Sequence, residues 1–237
     1  MIEIANLTKK FGKVTALNNV TLSIKDKGCF ALLGFNGAGK STLINVLTSV
    51  LPPTSGTVKI NGYDLEKDKN SIKQIVALSP QESAVAKNLT VTENLTLIAT
   101  LYGLDDVSER VQSTIKQYGL EEKANVLAKK LSGGQIKRLS IALAVIVKPQ
   151  ILFLDEPTLG LDVRARQKLW SIIKQLKEEI SVFLTTHYLE EVEALTDEVA
   201  IISKGEIKAV GTIENLKAQT GEDSLEKAFL RLTESEE

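Results

Sequence analysis

The chain has 237 residues, of which 43% are hydrophobic and 25% are charged, so it can bury one substantial core as a single domain, residues 1–237, with a subdomain. Its 29 basic and 30 acidic residues leave a net charge of −1, which gives no electrostatic case for a nucleic-acid partner. The single cysteine, Cys29, excludes an internal disulfide and fits a reducing cytosol.

The N-terminal segment, residues 1–28, alternates apolar and polar side chains as antiparallel strands do, at Ile2 and Ile4 and again over 21–24. It has neither a basic start nor a long apolar run, so we expect no signal peptide. No apolar stretch of the chain approaches the roughly 18 residues that cross a bilayer. Any membrane passage is therefore expected to belong to another polypeptide.

A glycine-rich loop lies between an apolar run, residues 29–33, and a helical pattern over 41–47. In this strand–loop–helix context the pattern G-x-x-x-x-G-K-[ST] predicts nucleotide binding, whereas the alternative is a turn that merely caps a helix. The glycines let backbone N–H groups point at phosphate oxygens, Lys40 supplies a full positive charge, and the Ser41 hydroxyl can join a Mg²⁺ shell. The candidate nucleotide-binding residues are Gly34, Phe35, Asn36, Gly37, Ala38, Gly39, Lys40, Ser41 and Thr42.

Residues 82–148 read as a helical insertion, with apolar patterns over 92–102 and 108–118 and a third helix before Pro149. The third helix begins at Ser132, Gly133, Gly134 and Gln135. A serine cap followed by two glycines makes a second anion site, although it also suits an ordinary capped helix.

The third group of candidate residues lies where two further apolar runs end. The run 151–154 leads into Asp155 and Glu156, and the run 182–184 leads into Thr185, Thr186 and His187. Buried parallel strands have such continuous apolar sequences, and open α/β sheets bind ligands at the carboxyl ends of their strands. Adjacent acids on a strand point in opposite directions, so Asp155 is expected to hold Mg²⁺ and Glu156 to polarise an attacking water. The alternatives are a solvated acidic turn and a structural histidine.

Together these motifs, in this order and spacing, resemble the nucleotide-binding subunit of an ATP-binding-cassette (ABC) transporter, over about residues 2–212. The resemblance implies that Phe11 stacks on adenine with Val14 nearby, and that Gln81 approaches Mg²⁺ and the γ-phosphate. It also implies that Lys40, Glu156 and His187 are catalytic, and that Ser41, Gln81 and Asp155 hold the metal. Phe11 could instead pack within the N-terminal sheet, and Gln81 could be an ordinary exposed loop residue. Phe35 replaces the proline or serine often found there in the family, and we do not expect its side chain to contact phosphate.

The fold implied is α/β: a P-loop NTPase core with a parallel sheet, an N-terminal antiparallel β-subdomain, the helical insertion and a short helical tail over about 212–237. The family also implies ATP and Mg²⁺ as ligands and a head-to-tail pair of subunits. In that pair, Ser132, Gly133, Gly134 and Gln135 of one copy close over ATP on the other, and Asp162 belongs to a loop that communicates across the pair.

A separate membrane-embedded permease is the second partner implied, which places the chain at the cytoplasmic face of the membrane. Apolar residues 89–102 after Gln81 would receive it, although most are expected to pack internally. Residues 185–212 look most similar to the drug, antibiotic and ion exporter branch. The alternative is a soluble ABC ATPase with a non-transport role, such as assembly of iron–sulfur centres, because it would use the same motifs.

Overall fold

The structure of the chain is a computed structural model that describes residues 1–25 and 27–233. Its strands are β1 (Ile2–Phe11), β2 (Val14–Ile24), β3 (Cys29–Leu33), β4 (Ser55–Ile60), β5 (Tyr63–Asp64), β6 (Val76–Ser79), β7 (Ile151–Asp155), β8 (Ser181–Thr186), β9 (Glu198–Ser203) and β10 (Glu206–Gly211). Its α-helices are α1 (Lys40–Leu47), α2 (Lys69–Ile75), α3 (Val91–Leu101), α4 (Val107–Gln117), α5 (Gly133–Val145), α6 (Val163–Glu179), α7 (Leu189–Leu195), α8 (Ile213–Thr220) and α9 (Leu225–Thr233). Short 3-10 turns cover Glu121–Lys123 and Ala128–Lys130.

The central sheet has the strand order β10-β9-β3-β8-β7-β6. The five strands from β9 to β6 are parallel, and β10 pairs antiparallel at the edge. All five residues of β3 and of β7 are buried, as expected for strands covered on both faces. In register, Leu33 lies opposite Thr186, and Asp155 lies opposite Thr185. The carboxyl ends of β3, β8 and β7 are therefore neighbours.

Alternate side chains of the central strands belong to two hydrophobic clusters, because successive strand residues point to opposite faces. Phe30, Phe153 and Phe183 lie in one cluster with α1 and the N-terminal strands, and the Phe183 ring centroid is 5.4 Å from that of Phe30 and 5.3 Å from that of Phe153. Leu33 and Leu154 lie in the other cluster with helices α3 to α7. The central sheet is thus the middle layer between an antiparallel sheet and a helical layer.

The second sheet is antiparallel and has the order β2-β1-β4-β5. The sequence pattern predicted only its first two strands, and β4 and β5 lie apart from them in the sequence, after α1. Strand β4 returns to pair Ile60 with Ile2. At Gly56, φ is +95° and a side-chain Cβ would lie 2.5 Å from the Asn6 carbonyl oxygen, so this close crossing requires glycine.

The helical insertion contains α3, α4 and α5, whose ends lie within about three residues of the predicted ones. Thr90 and Glu93 form a capping box at α3, and Ser132 and Gln135 form one at α5. Strand β6, which precedes the insertion, begins at Val76 directly after Ile75 ends α2.

The tail contains α8, capped by Thr212, and α9. The last four residues of the tail, 234–237, lie outside the described residues. Among the described residues, no helix combines the length and the apolar character needed to cross a membrane. The expectation of an α/β fold with a parallel core, an antiparallel N-terminal sheet and inserted helices is confirmed.

Candidate functional site

The glycine-rich loop joins β3 to α1 and begins a helix at Lys40. Gly37 and Gly39 have φ of +83° and +108°, a region that side-chain-bearing residues rarely adopt. A Cβ at Gly39 would also lie 2.7 Å from the Ala16 carbonyl oxygen. The loop can therefore keep its shape only with glycine here, and this shape turns the start of α1 toward the carboxyl edge of the sheet.

Lys40 is the central cation of the site, with only 5% of its surface exposed. Its Nζ donates to the carbonyl oxygens of Gly34 at 2.7 Å and Phe35 at 3.2 Å. The same ammonium lies 3.0 Å from Glu156 Oε1. A buried cation held by three oxygens is preorganised for an anionic ligand, since its desolvation has already occurred in the fold.

Asp155 lies beside the first turn of α1. Its Oδ1 accepts hydrogen bonds from Ser41 Oγ at 3.2 Å and from Thr185 Oγ1 at 2.6 Å. Hydroxyl and carboxylate oxygens are the ligand types that Mg²⁺ prefers. The described residues contain no group of three or more His, Cys, Asp or Glu that could hold a metal alone. The Ser41 hydroxyl and the Asp155 carboxylate therefore fit an ion whose remaining ligands include phosphate oxygens of a substrate, which is the usual arrangement for Mg²⁺.

Glu156 and His187 meet at the ends of the neighbouring strands β7 and β8. Glu156 Oε2 lies 2.9 Å from His187 Nδ1, and the Glu156 side chain is 5% exposed. The Glu156 backbone has φ of +46°, which is uncommon for a residue with a side chain and typical of strained functional positions. Its backbone N–H donates to Thr185 Oγ1 at 3.1 Å. The strained turn thus aims the carboxylate between Lys40 and His187.

These groups border a cavity of about 330 Å³. It is lined by Ala16, Asn36, Gly37, Gly39, Lys40, Ser41, Thr42, Gln81, Glu156 and Leu159. The Gln81 carbonyl accepts a hydrogen bond from Lys137 of α5. Burial lowers the pKa of Lys137, against the opposing effect of Asp155 and Glu156. The loop that carries Gln81 is therefore tied to the helix that begins at Ser132.

Five other predicted residues lie away from this cavity in the described part of the chain. Ser132, Gly133 and Asp162 are exposed, whereas Gly134 and Gln135 are half-buried. Ser132 and Asp162 cap α5 and α6, and the Gly133 Cβ position is 3.8 Å from Leu161. The two helix beginnings therefore lie side by side on the surface.

Phe11 and Val14 are paired at the turn between β1 and β2, and both are exposed. Their side chains do not border the cavity in the described structure, although Ala16 of the same strand does. Lys9 Nζ lies 5.1 Å from the centre of the Phe11 ring. Phe11 is thus about half exposed and contacts Lys9 of its own strand, and both the stacking role and the packing alternative stay predictions.

Phe35 occupies the second position of the glycine-rich loop, and its ring packs on Phe229 of α9, with centroids 4.9 Å apart. Only its carbonyl points into the site, toward Lys40. The ring thus connects the loop to the C-terminal helix, a contact that no local pattern indicated.

Sequence reasoning also missed Ala16, Lys137 and Leu159 as residues at or behind the site. A lysine in a mainly buried helix was the one available signal for Lys137, because such a cation needs an oxygen partner. Ala16 and Leu159 carry no chemical signal of their own and are placed there by the fold.

The sequence profile described as "ABC transporter" matches residues 17–159. The linearmycin resistance ATP-binding protein LnrL of Bacillus subtilis is 37% identical over 95% of this chain and 73% of its own length. The daunorubicin/doxorubicin resistance ATP-binding protein DrrA of Streptomyces peucetius is 37% identical over 94% and 69%. The phospholipid-transporting ATPase ABCA3 of Rattus norvegicus is 38% identical over 93% of this chain, which spans 13% of that protein.

Solved structures give the same assignment. An ATP-binding subunit of an ABC transporter superposes with a TM-score of 0.88 at 29% identity, over 98% of this chain and 99% of that one. A dimeric ATP-binding cassette in a post-hydrolysis state with ADP and Pi has a TM-score of 0.80 at 28% identity, over 90% and 98%. The chain therefore belongs to the ABC transporter family, as one of its ATP-binding proteins.

Proposed function

We propose that this protein hydrolyses ATP to power export through a separate membrane-embedded subunit. The observation that carries the proposal is the contact of one buried carboxylate, Glu156, with both Lys40 at 3.0 Å and His187 at 2.9 Å. This trio lies at the carboxyl edge of the parallel sheet, beside a phosphate-binding loop. This cavity thus holds a base (Glu156), a cation (Lys40) and an imidazole (His187), which together suit phosphoryl transfer to water.

ATP binding is assigned to the loop and to Lys40. Backbone N–H groups of residues 34–42 would receive the phosphates, and Phe11 would stack on adenine near Val14. The phosphate oxygens compete with the Glu156 carboxylate for the Lys40 ammonium. Binding would therefore release Glu156 from its ion pair and leave it free to act on water.

Hydrolysis is assigned to Glu156 and His187. Glu156 would accept a proton from the attacking water, and His187 would contact the γ-phosphate with its ring. Mg²⁺, held by Ser41, Asp155 and Gln81, would neutralise negative charge on the phosphates. The strained backbone of Glu156 and its fixed partners orient the carboxylate before substrate binds. A group that is oriented in advance lowers the activation free energy more than one that must first be ordered.

A second copy of the chain completes the site in this proposal. Ser132, Gly133, Gly134 and Gln135 lie at the surface where α5 begins, and Asp162 lies beside them. A head-to-tail pair would place these groups over ATP bound by Lys40 of the other copy. The related cassette solved with ADP and Pi is a dimer, which supports this arrangement.

The membrane subunit is proposed to dock on the helical insertion. Val91 and Leu95 are fully buried, but Leu97, Leu101 and Tyr102 are exposed. A groove of about 380 Å³ beside them is lined partly by Val50, Ile98, Tyr102, Leu143 and Val147. An apolar groove next to the Gln81 loop could receive a short helix and pass a movement of Gln81 to it. The protein would then work at the cytoplasmic face of the membrane.

The first test is affinity purification of the tagged chain from mildly solubilised cells. A stoichiometric polytopic membrane protein among the co-purified proteins is the expected result, and it would point to the exported substance. A soluble partner alone, with nothing from the membrane fraction, would contradict the transport role and favour the non-transport ATPase.

The docking groove has its own test. Tyr102→Glu should abolish co-purification and transport while the isolated chain keeps its ATPase rate, because a charge opposes apolar docking. The control is Val210→Glu, since Val210 is an exposed apolar residue on β10. Intact transport in Tyr102→Glu would refute the assignment of the groove.

A further inference from the structure

A second carboxyl group, that of Glu191, lies buried behind the site and is not used by the chemistry described above. Glu191 is in the first turn of α7 and is 0% exposed. Its Oε2 accepts a hydrogen bond from Thr186 Oγ1 at 2.5 Å. The Thr186 hydroxyl in turn accepts one from the Tyr188 backbone N–H at 3.0 Å. Glu191 therefore holds the two residues that flank His187 in the chain.

The other carboxyl oxygen of Glu191 faces the turn that follows Glu156. Oε1 is buried without a hydrogen-bond partner, and so are the Thr158 hydroxyl and the Trp170 indole N–H. Both of these donors nevertheless lie close enough to Glu191 to lower its pKa. Three unpaired buried polar atoms around one carboxyl group are costly unless they pair with one another. Thr158 is two residues from Glu156, so this group reaches both turns of the site.

The charge state of Glu191 follows from its surroundings. Burial raises its pKa most strongly, the hydrogen bond from Thr186 opposes this, and the negative charge of Glu156 raises the pKa further. A protonated carboxyl group has one O–H donor as well as acceptor oxygens. Trp170 N–H and the Thr186 hydroxyl need only an acceptor oxygen, whereas the Thr158 hydroxyl can donate to Oε1 or accept from a protonated carboxyl group.

We propose that Glu191 is a positioning residue for hydrolysis, which joins the Glu156 turn to the His187 turn through hydrogen bonds and not through charge. The proposal rests on the proposed ATPase function. It explains why a carboxyl group is placed in the core beneath two strand ends that carry functional side chains. The two strand ends are already joined where the Glu156 N–H donates to Thr185 Oγ1, and Glu191 adds a contact one residue further along the chain, at Thr186.

The test compares Glu191→Ala, Glu191→Gln and the control Glu193→Gln, since Glu193 is an exposed residue of the same helix. We expect Glu191→Ala to lower kcat by about 10- to 100-fold, because a small misplacement of reacting groups has that effect. The Kd for ATP should stay within about twofold of the unmodified chain, since Lys40 and its loop are untouched. Glu191→Gln should restore most of kcat, because an amide can both donate and accept.

A second readout does not depend on catalysis. His187 is the only histidine in the chain, so the imidazole ¹H–¹⁵N resonances report its position directly. Glu191→Ala should shift or broaden them, whereas Glu191→Gln and Glu193→Gln should leave them close to those of the unmodified chain. If the unmodified chain hydrolysed no ATP, the proposed function would fail, but these resonances would still decide whether Glu191 positions His187.

Two results would overturn the proposal. One is Glu191→Ala with unchanged kcat and unchanged His187 resonances. The other is Glu191→Gln as impaired as Glu191→Ala, which would mean that the charge matters and not the hydrogen bonds. Should Glu191→Ala fail to fold, Thr186→Val removes the same link from the other side. Unchanged kcat and resonances in a folded Thr186→Val protein would be equally decisive against it.

Discussion

Replacing Glu156 by glutamine separates binding from chemistry more sharply than any other single change in this site. The variant keeps the shape of the side chain and removes its ability to take a proton. A general base contributes about 10²–10⁴-fold to a rate, equivalent to about 2.7–5.4 kcal/mol of activation free energy. We therefore expect the kcat of Glu156→Gln to fall by that factor.

The same geometry predicts that the variant stays folded. Lys40 loses its carboxylate partner at 3.0 Å but keeps the Gly34 and Phe35 carbonyl oxygens. An amide oxygen can also take the place of the carboxylate oxygen. The expected loss in unfolding free energy is about 1–3 kcal/mol, the cost of weakening a hydrogen bond to a charged group.

ATP affinity should be retained or increased, for a reason visible in the site. In Glu156→Gln the Lys40 ammonium is no longer shared with a carboxylate, and one negative charge near the phosphates is gone. Steady-state phosphate release measures kcat, and isothermal titration calorimetry measures ATP binding. Glu193→Gln, an exposed change on α7, is the matched control. A Glu156→Gln rate within about threefold of the unmodified chain would refute the assignment of Glu156 as base.

Four further changes test other contacts. Lys40→Ala should weaken ATP binding by about 10- to 100-fold in a titration, because a charged hydrogen bond to phosphate is lost, and unchanged affinity would count against the loop as the phosphate site. His187→Ala should slow phosphate release by about 100-fold with ATP binding retained; an unchanged rate would make the histidine structural. The folded-state pKa of Glu191 is raised above the ordinary glutamic acid value of 4.5, so the unfolding free energy of the unmodified chain should fall as pH rises above 4.5, whereas Glu191→Gln has no proton to lose there. Glu191→Gln should therefore gain stability relative to the unmodified chain between pH 5 and pH 8. Urea unfolding at these two pH values measures the difference, and a pH-independent difference would contradict the prediction. Phe229→Ala should lower the unfolding free energy by about 3–5 kcal/mol, since that ring is 5% exposed and packs on Phe35, whereas the more exposed Leu230→Ala should cost less.

The sequence by itself determined the local chemistry of this protein. The loop from Gly34 to Thr42, the cap at Ser132, and the apolar runs that end in Asp155 and Thr185 were all predictable, because each depends on residues adjacent in the chain. A capping side chain bonds the backbone three residues away, and a glycine with positive φ is recognisable from its own neighbours. The parallel core followed from continuous apolar runs in the same way.

Only the tertiary structure decided which of these local pieces meet. The strand order β3-β8-β7 brings Lys40, His187 and Glu156 into contact, although each pair of those residues is separated by 31 or more positions. The same is true of β4, which returns to pair with β1, and of Phe35 on Phe229. The sequence of a strand or the identity of an aromatic residue does not specify which of many apolar surfaces it packs against. Strand partners and aromatic contacts therefore depend on how the whole chain buries its apolar surface. A sequence pattern therefore names the groups of a site, and long-range packing sets the distances at which they act.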